Sequence, residues 1–564
     1  MRTIPRATSL LLCLLALGAC KRDSDLAPRP SGGSTVTTSA DTTAAPELMA
    51  EMEPPAPATV TPGAVGDTTF PQGPGEPNRE QYNLIVENEF KDAAANPLST
   101  FAIDVDAASY ANVRRFLLGQ GQMPPRDAVR IEELVNYFDY DYPDPRGDAP
   151  FSITTEVAPA PWNPAHRLVH VGLQGRRMEA ASLPAANLVF LVDVSGSMDE
   201  PSKLPLLKEA FGMLVENLRP QDRVSIVAYA GAAGLVLPPT PGGAKDRIRD
   251  AIESLVPQGS TNGAEGIRLA YQLARDAFVR GGNNRVILAT DGDFNVGVSS
   301  DAELVRLIEQ ERGAGIFLTV LGFGTGNLQD ARMEQLADHG NGNYAYVDGI
   351  EEARKVLVGE MGGTLFTIAK DVKVQVEFNP AQVRSYRLIG YENRLLAAED
   401  FNDDRKDAGE LGAGHSVTAL YEVVPAGAPD NPARGTDPLR YQTPRARSGA
   451  AGTGELLTVK LRYKAPDGEV SRLLVHPLHD RAGSLAAASP DFRFSAAVAE
   501  WGMLLRGSRF RGAASYGAVM SLARGALGED RGGYRNEFLR LVEASQRIAS
   551  RETGGDGEIT VVDR

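Results

Sequence analysis

Leu188-Val189-Phe190-Leu191-Val192-Asp193-Val194-Ser195-Gly196-Ser197-Met198 is the stretch on which the fold turns. Five apolar residues end on an aspartate, and two serines then alternate around a glycine. The apolar run is too short and too β-branched for a buried helix, and it reads as a strand covered on both faces. A helix follows it: Leu204, Leu207, Phe211, Leu214 and Leu218 recur at spacings of three and four and place one apolar stripe against a sheet. Similar short runs return at 224–229, 286–289, 316–321 and 344–347, with helical stretches between them. The pattern predicts an α/β domain over 184–366, a doubly wound, mostly parallel sheet with its functional loops at the carboxyl ends of the strands.

Outward from this unit the period becomes two. Ile153, Thr155 and Val157, then Leu168, Val169 and Val171, alternate within 151–175. On the other side Val372, Val374, Val376 and Phe378 do the same, followed by 456–463 and 470–475 around the turn Pro466-Asp467-Gly468. Each set alone is too small to bury both faces, so one antiparallel β-sandwich with the α/β domain inserted in it is expected. The expected division is an N-terminal α+β flanking region over 81–183, a β-rich region over 367–490 with a loop at 430–454, and a helical region over 491–564. In the last, Phe494, Val498, Trp501, Leu504 and Leu505 share one face. Within 81–183 a strand over 100–105 leads into a helix through Tyr110, Val113, Phe116 and Leu117, and a second helix is expected over 128–138. Asp104-Val105-Asp106-Ala107-Ala108-Ser109 superficially imitates a metal loop, but Asp106 is well placed to cap the following helix.

The first twenty residues read as an export signal, with Arg2 and Arg6 before the short apolar run 10–17. Leu17-Gly18-Ala19-Cys20 resembles the bacterial lipobox, which implies a lipid on Cys20. Cys13 would leave with the signal, so no intramolecular disulfide could form in the mature chain. Lys21 is not the Asp that marks inner-membrane retention in enteric bacteria, which favours the outer membrane. From 21 to 80 ten Pro and nine Thr stand among small and acidic residues. Such a segment cannot offset ordering entropy by burial and reads as a tether. Its span is about 45 Å as a flexible coil.

At 564 residues the chain is too long for one core. A formal net charge of −15 argues against nucleic acid or anionic lipid as partner. No Walker-type phosphate loop appears, so a nucleotide is not expected. His476 and His479 are spaced like a metal pair, but Pro477 and Leu478 between them sit at a strand end, and surface histidines are the better reading.

The chemistry lies in Asp193, Ser195 and Ser197. A carboxylate and two hydroxyls at alternate positions can converge on one hard cation. Two further loops belong to the pattern: Gly259-Ser260-Thr261-Asn262 before a helix, and Thr290-Asp291-Gly292-Asp293 after a strand. Together they resemble the von Willebrand factor type A family and its metal-ion-dependent adhesion site. The resemblance implies that Ser195, Ser197 and Thr261 hold Mg²⁺ or Mn²⁺ directly or nearly so, with Asp193 and Asp291 supplying charge, partly through water. Leu321-Gly322-Phe323-Gly324, 340–344 and 360–366 resemble a bacterial branch with flanking regions of unestablished role. A zinc-type site is excluded, because the set has no His or Cys. Ser195 as nucleophile lacks a general base in an identifiable role. Two functions stay open. One is a membrane-anchored, non-enzymatic module whose metal takes an Asp or Glu carboxylate of a partner protein. The other is an envelope assembly factor acting through the flanking regions, its metal only stabilising loops.

Overall fold

The computed structural model describes residues 80–554, apart from 104–105, 180–181, 260–262, 293, 295–300, 361–365, 407, 434–439, 442–446, 467 and 482. The expected signal, the expected tether up to residue 79, Cys20, Asp104, Thr261, Asp293 and Asp467 lie outside the described residues.

The chain first lays down β1 (Lys91–Asp92), β2 (Leu98–Ala102), α1 (Ala108–Arg114) and α2 (Ile131–Asn136). The hairpin β3 (Phe151–Ala160) and β4 (Asn163–Gly175) follows. Two expectations fail here. The helix over 128–138 is shorter, because the Ser109 hydroxyl donates to Ala128 O at 2.6 Å and accepts from Arg130 N at 2.9 Å. A tertiary partner thus takes the backbone groups that a longer helix would use. Asp106 does not cap α1: Ala107 stands at the cap without a side-chain bond, and Asp106 Oδ1 accepts from Tyr344 N at 2.7 Å instead.

The α/β domain comes next: β5 (Ala186–Asp193), α3 (Leu204–Asn217), β6 (Arg223–Tyr229), β7 (Ala233–Pro241), α4 (Lys245–Glu253) and α5 (Gly263–Asp276). Then follow β8 (Asn283–Thr290), α6 (Asp301–Gly313), β9 (Ile316–Phe323), α7 (Asp330–His339), β10 (Tyr344–Val347) and α8 (Ile350–Arg354). The sheet order is β10-β9-β8-β5-β6-β7. Five strands are parallel, and every residue of β5 and β8 is buried, as two-sided cover demands. The stripe Leu204, Leu207, Phe211 and Leu214 of α3 is buried against the sheet. Strand β7 is an antiparallel edge that the sequence pattern hid, since Pro238, Pro239 and an exposed alternation suit an edge strand.

Beyond it run β11 (Thr367–Phe378), β12 (Val383–Ile389), β13 (Leu395–Leu396), β14 (Leu411–Gly412), β15 (Ser416–Pro425), β16 (Glu455–Lys464) and β17 (Arg472–His479). One sheet is ordered β1-β12-β15-β4-β3 and the other β13-β2-β11-β16-β17, with β14 beside β11. Strand β4 from before the inserted domain pairs antiparallel with β15 from after it. Val169, Val171, Val374, Val376, Tyr421 and Val459 fill one shared core. The sandwich is therefore a single body interrupted by the α/β domain. The strand expected at 470–475 starts later, leaving Val470 exposed before it.

Helices α9 (Pro490–Arg506), α10 (Tyr516–Arg524) and α11 (Tyr534–Gly554) close the fold. They pack with α1 and α2 around Tyr110, Phe138, Phe494, Trp501 and Phe538. Helix α9 is buried almost all round rather than on one face, because α2 and α10 both pack on it. Among the described residues no helix is long and apolar enough to cross a membrane.

The flanks meet the α/β domain through buried ion pairs. Arg130 reaches Asp330 at 2.5 Å and also bonds Glu133, and Arg394 reaches Glu334 at 3.2 Å. Asp106, Glu133 and Glu334 bring carboxylate oxygens within 4.8 Å of one another. Arg130 and Arg394 stand among them and offset part of this negative charge. The Asp106 bond to Tyr344 N also covers the open edge of β10.

His170 carries a pH prediction. Its Nε2 meets Tyr142 OH at 2.5 Å, its Nδ1 meets Ser495 Oγ at 3.2 Å, and burial pushes the imidazole down to about 3. Below about pH 6.5 the unfolded chain takes up a proton that folded His170 refuses. Its contribution to stability is thus present above that pH and is lost as pH falls from 6.5 towards 3. Glu500, pushed up to about 7 by burial, acts oppositely, losing its contribution as pH rises from about 4.5 to 7. Urea unfolding of wild type and His170→Phe isolates the histidine: below pH 6.5 the variant's stability should fall less steeply. Parallel curves would show that His170 is protonated alike in both states.

Candidate metal centre

Strand β5 delivers Asp193 to the carboxyl edge of the sheet, and β8 delivers Asp291 beside it. Both side chains are fully buried. Asp193 Oδ1 accepts from Ser195 N at 2.9 Å, which folds the turn back over the carboxylate. Its Oδ2 accepts from Tyr229 OH at 3.1 Å and Thr290 Oγ1 at 3.3 Å. Ser195 is buried and Ser197 exposed, with their Oγ atoms 3.1 Å apart. The site thus has a charged floor and a hydroxyl rim open to solvent.

A neighbouring loop closes on this turn. Gly196 N donates to Gly259 O at 3.2 Å, and Gln258 N to Val194 O at 2.6 Å. Gly292 has φ +104°, and a Cβ there would stand 2.7 Å from Gln329 N, so only glycine lets the loop after Asp291 pass. The loop between β9 and α7, against which Gly292 packs, also meets residues 80–81: Gln81 N donates to Leu328 O at 3.0 Å and Glu80 accepts from Gly326 N at 2.9 Å.

Burial, with the Asp291 charge adding to it, pushes the Asp193 carboxyl up to about 6 despite its bonds from Ser195 and Tyr229. Two buried carboxylates side by side call for a cation. Adjacent oxygens on an octahedral Mg²⁺ at about 2.0–2.1 Å stand about 3 Å apart, and the two serine hydroxyls match that spacing. The donor set is all oxygen, as a hard ion requires.

Four of the five predicted metal positions, Asp193, Ser195, Ser197 and Asp291, are brought together; Thr261 lies outside the described residues. His476 bonds Thr155 Oγ1 at 2.9 Å and so ties β17 to β3. Sequence reasoning missed Lys203, whose Nζ lies 3.1 Å from Asp291 Oδ2 and 3.0 Å from Ser197 O. It missed Tyr229 as well. No local pattern marks either residue, since a lysine before a helix and an aromatic at a strand end are ordinary.

Fold and oxygen cluster define a von Willebrand factor type A domain protein. Residues 188–293 match the family described as von Willebrand factor type A domain, and residues 76–170 one described as von Willebrand factor. Residues 363–548 match the family described as uncharacterized protein YfbK, C-terminal. The chain is 45% identical over 479 residues to the uncharacterized protein YfbK of Escherichia coli (strain K12), covering 84% of this chain and 82% of that one. The chain belongs to the YfbK family. It is also 28% identical over 261 residues to the human inter-alpha-trypsin inhibitor heavy chain H3, covering 42% of this chain and 28% of that protein. Among solved structures, von Willebrand factor type A from Catenulispora acidiphila is similar with a TM-score of 0.37 and 15% identity, covering 80% of this chain and 89% of that chain.

Proposed function

We propose that this protein is a lipid-anchored, metal-dependent binding module of the cell envelope rather than an enzyme. Asp193, Ser195, Ser197, Thr261 and Asp291 would hold Mg²⁺ or Mn²⁺, which supplies an electrophilic point for a partner's Asp or Glu carboxylate. The observation that carries this reading is the pairing of a buried two-carboxylate floor with an exposed hydroxyl at Ser197. The floor suits a cation, and the rim leaves room for a ligand from outside. A catalytic role for Ser195 would require a base, and among the described residues His166, His170, His339 and His476 are bonded to groups outside this site.

Capture of envelope proteins on the immobilised chain tests the reading. Partner capture should appear with Mg²⁺, vanish with EDTA, and weaken about tenfold or more in Thr261→Ala with the fold intact, by loss of one ligand. Capture unchanged by EDTA and by Asp291→Ala would favour the assembly reading, in which the flanking sandwich and helices make the contact.

The lipobox resemblance supports an anchor on Cys20, with the outer membrane favoured. Cys20→Ala should move the protein from the membrane to the soluble fraction, and wild type should incorporate labelled palmitate. Membrane association of Cys20→Ala together with no label in wild type would remove the anchor.

A further inference from the structure

A lysine ammonium is bonded to one of the two carboxylates of the floor. Lys203 is 3% exposed, and its Nζ meets three acceptors: Asp291 Oδ2 at 3.1 Å, Ser197 O at 3.0 Å and Glu200 Oε1 at 3.3 Å. Three acceptors satisfy the three donors of an ammonium. The fold also makes room for the stem of this side chain. Gly324, just past β9, has φ +75°, and a Cβ there would lie 2.2 Å from Lys203 Cε, 2.7 Å from Cγ and 2.9 Å from Cδ. Tyr346 OH holds the Gly324 carbonyl at 2.6 Å, so the slot is fixed from below. Burying an ammonium is unfavourable without a carboxylate, and Asp291 is the buried carboxylate within reach.

We propose that Lys203 is a built-in counter-cation that holds Asp291 when no divalent ion is bound and raises the ion concentration at which the site loads. The proposal rests on the reading of this cluster as a divalent-cation site. With Asp193 and Asp291 ionised, the floor carries two negative charges, and Lys203, shared with the exposed Glu200, offsets part of them. An incoming divalent ion meets a weaker attraction and a like charge bonded to one of its carboxylates. Metal-free protein keeps its loops assembled through the Lys203 bonds to Asp291 and Ser197 O. The site then responds to a threshold of free Mg²⁺ instead of being permanently filled.

The test uses Mn²⁺ alone on the full chain, by calorimetry, in wild type, Lys203→Gln and Lys203→Arg. Lys203→Gln should bind Mn²⁺ about tenfold tighter or more, and Lys203→Arg, which keeps the charge, should stay within about threefold of wild type. In EDTA the Gln variant should melt below wild type, and Mn²⁺ should raise its melting temperature further than it raises that of wild type. A variant that folds only with Mn²⁺ present would support the proposal by the same logic. Should the variant not fold at all, ¹⁵N-lysine NMR of wild type decides: the Lys203 ammonium resonance should shift during Mg²⁺ titration, and an unmoved resonance overturns the proposal. Wild-type Mn²⁺ binding with equal or weaker affinity in Lys203→Gln overturns the lysine role alone. Absence of Mn²⁺ uptake by both proteins at millimolar concentration overturns the metal reading and the lysine role together. Metal-independent partner capture combined with tighter Mn²⁺ binding in the variant overturns the adhesion reading and leaves the lysine role standing.

Discussion

Asp291→Ala should weaken Mn²⁺ binding by about a hundredfold or more, since even residues that only orient metal ligands cost ten- to a hundredfold when changed. Asp291 is one of two carboxylates at the floor and is fully buried, so no solvent-borne group can replace it without rearranging the loop. The same change strands the Lys203 ammonium, which is 3% exposed and loses its buried counter-charge. Breaking one partner of a buried pair costs about 3–5 kcal/mol. Two effects are therefore predicted from one substitution, and they separate in the double variant. Asp291→Ala with Lys203→Met should recover most of the lost stability while still failing to bind Mn²⁺. Calorimetry and urea unfolding read the two effects. Metal affinity within threefold of wild type in Asp291→Ala would remove this residue from the site.

The second large effect is expected far from the metal centre, at Arg114. Its guanidinium bonds Asp348 through Nε at 2.8 Å and Nη2 at 2.5 Å, Glu352 at 2.6 Å, Glu537 at 2.9 Å and Tyr137 OH at 3.1 Å. One side chain thus joins the first flanking helix, the end of the α/β domain and the last helix of the chain. Arg114→Met leaves three carboxylates crowded in a region where burial already pushes Asp348 upward. A loss of about 3–5 kcal/mol is expected. Arg114→Lys should recover little of it, because a single ammonium cannot serve carboxylates on both edges of a planar fork. Urea unfolding of both variants checks this, and a loss under about 1 kcal/mol would show that the network is offset by its own desolvation.

The centre of the fold was legible because its signals are local. The run 188–192 and the stripe of α3 state a buried parallel strand and its covering helix, and Asp193, Ser195 and Ser197 lie within five residues of one another. The insertion was legible from a deficit, as neither set of alternating strands had enough partners alone. What escaped depends on residues distant in sequence. Asp106 pairs with Tyr344 N rather than with its own helix, across 238 positions. Ser109 shortens α2 through bonds to Ala128 and Arg130. Lys203 meets Asp291 across 88 positions, in a slot left by Gly324. No periodicity encodes such partners, since each is chosen by the completed packing.

The insertion also determines how the molecule carries mechanical load. A pull on the α/β domain, applied at its site face, passes along the backbone through two connections, one into β4 and one into β11, once the ion pairs to the flanks give way. Each is an interior strand, β4 between β15 and β3 and β11 between β2 and β16, and the two belong to different sheets. Tension is therefore shared between two ladders of hydrogen bonds, each flanked on both sides. A domain hung from one end would peel from its attachment one bond at a time. Here a detaching force must shear both sheets or first unravel the α/β domain itself, and single-molecule pulling from a residue on α3 would read that resistance directly.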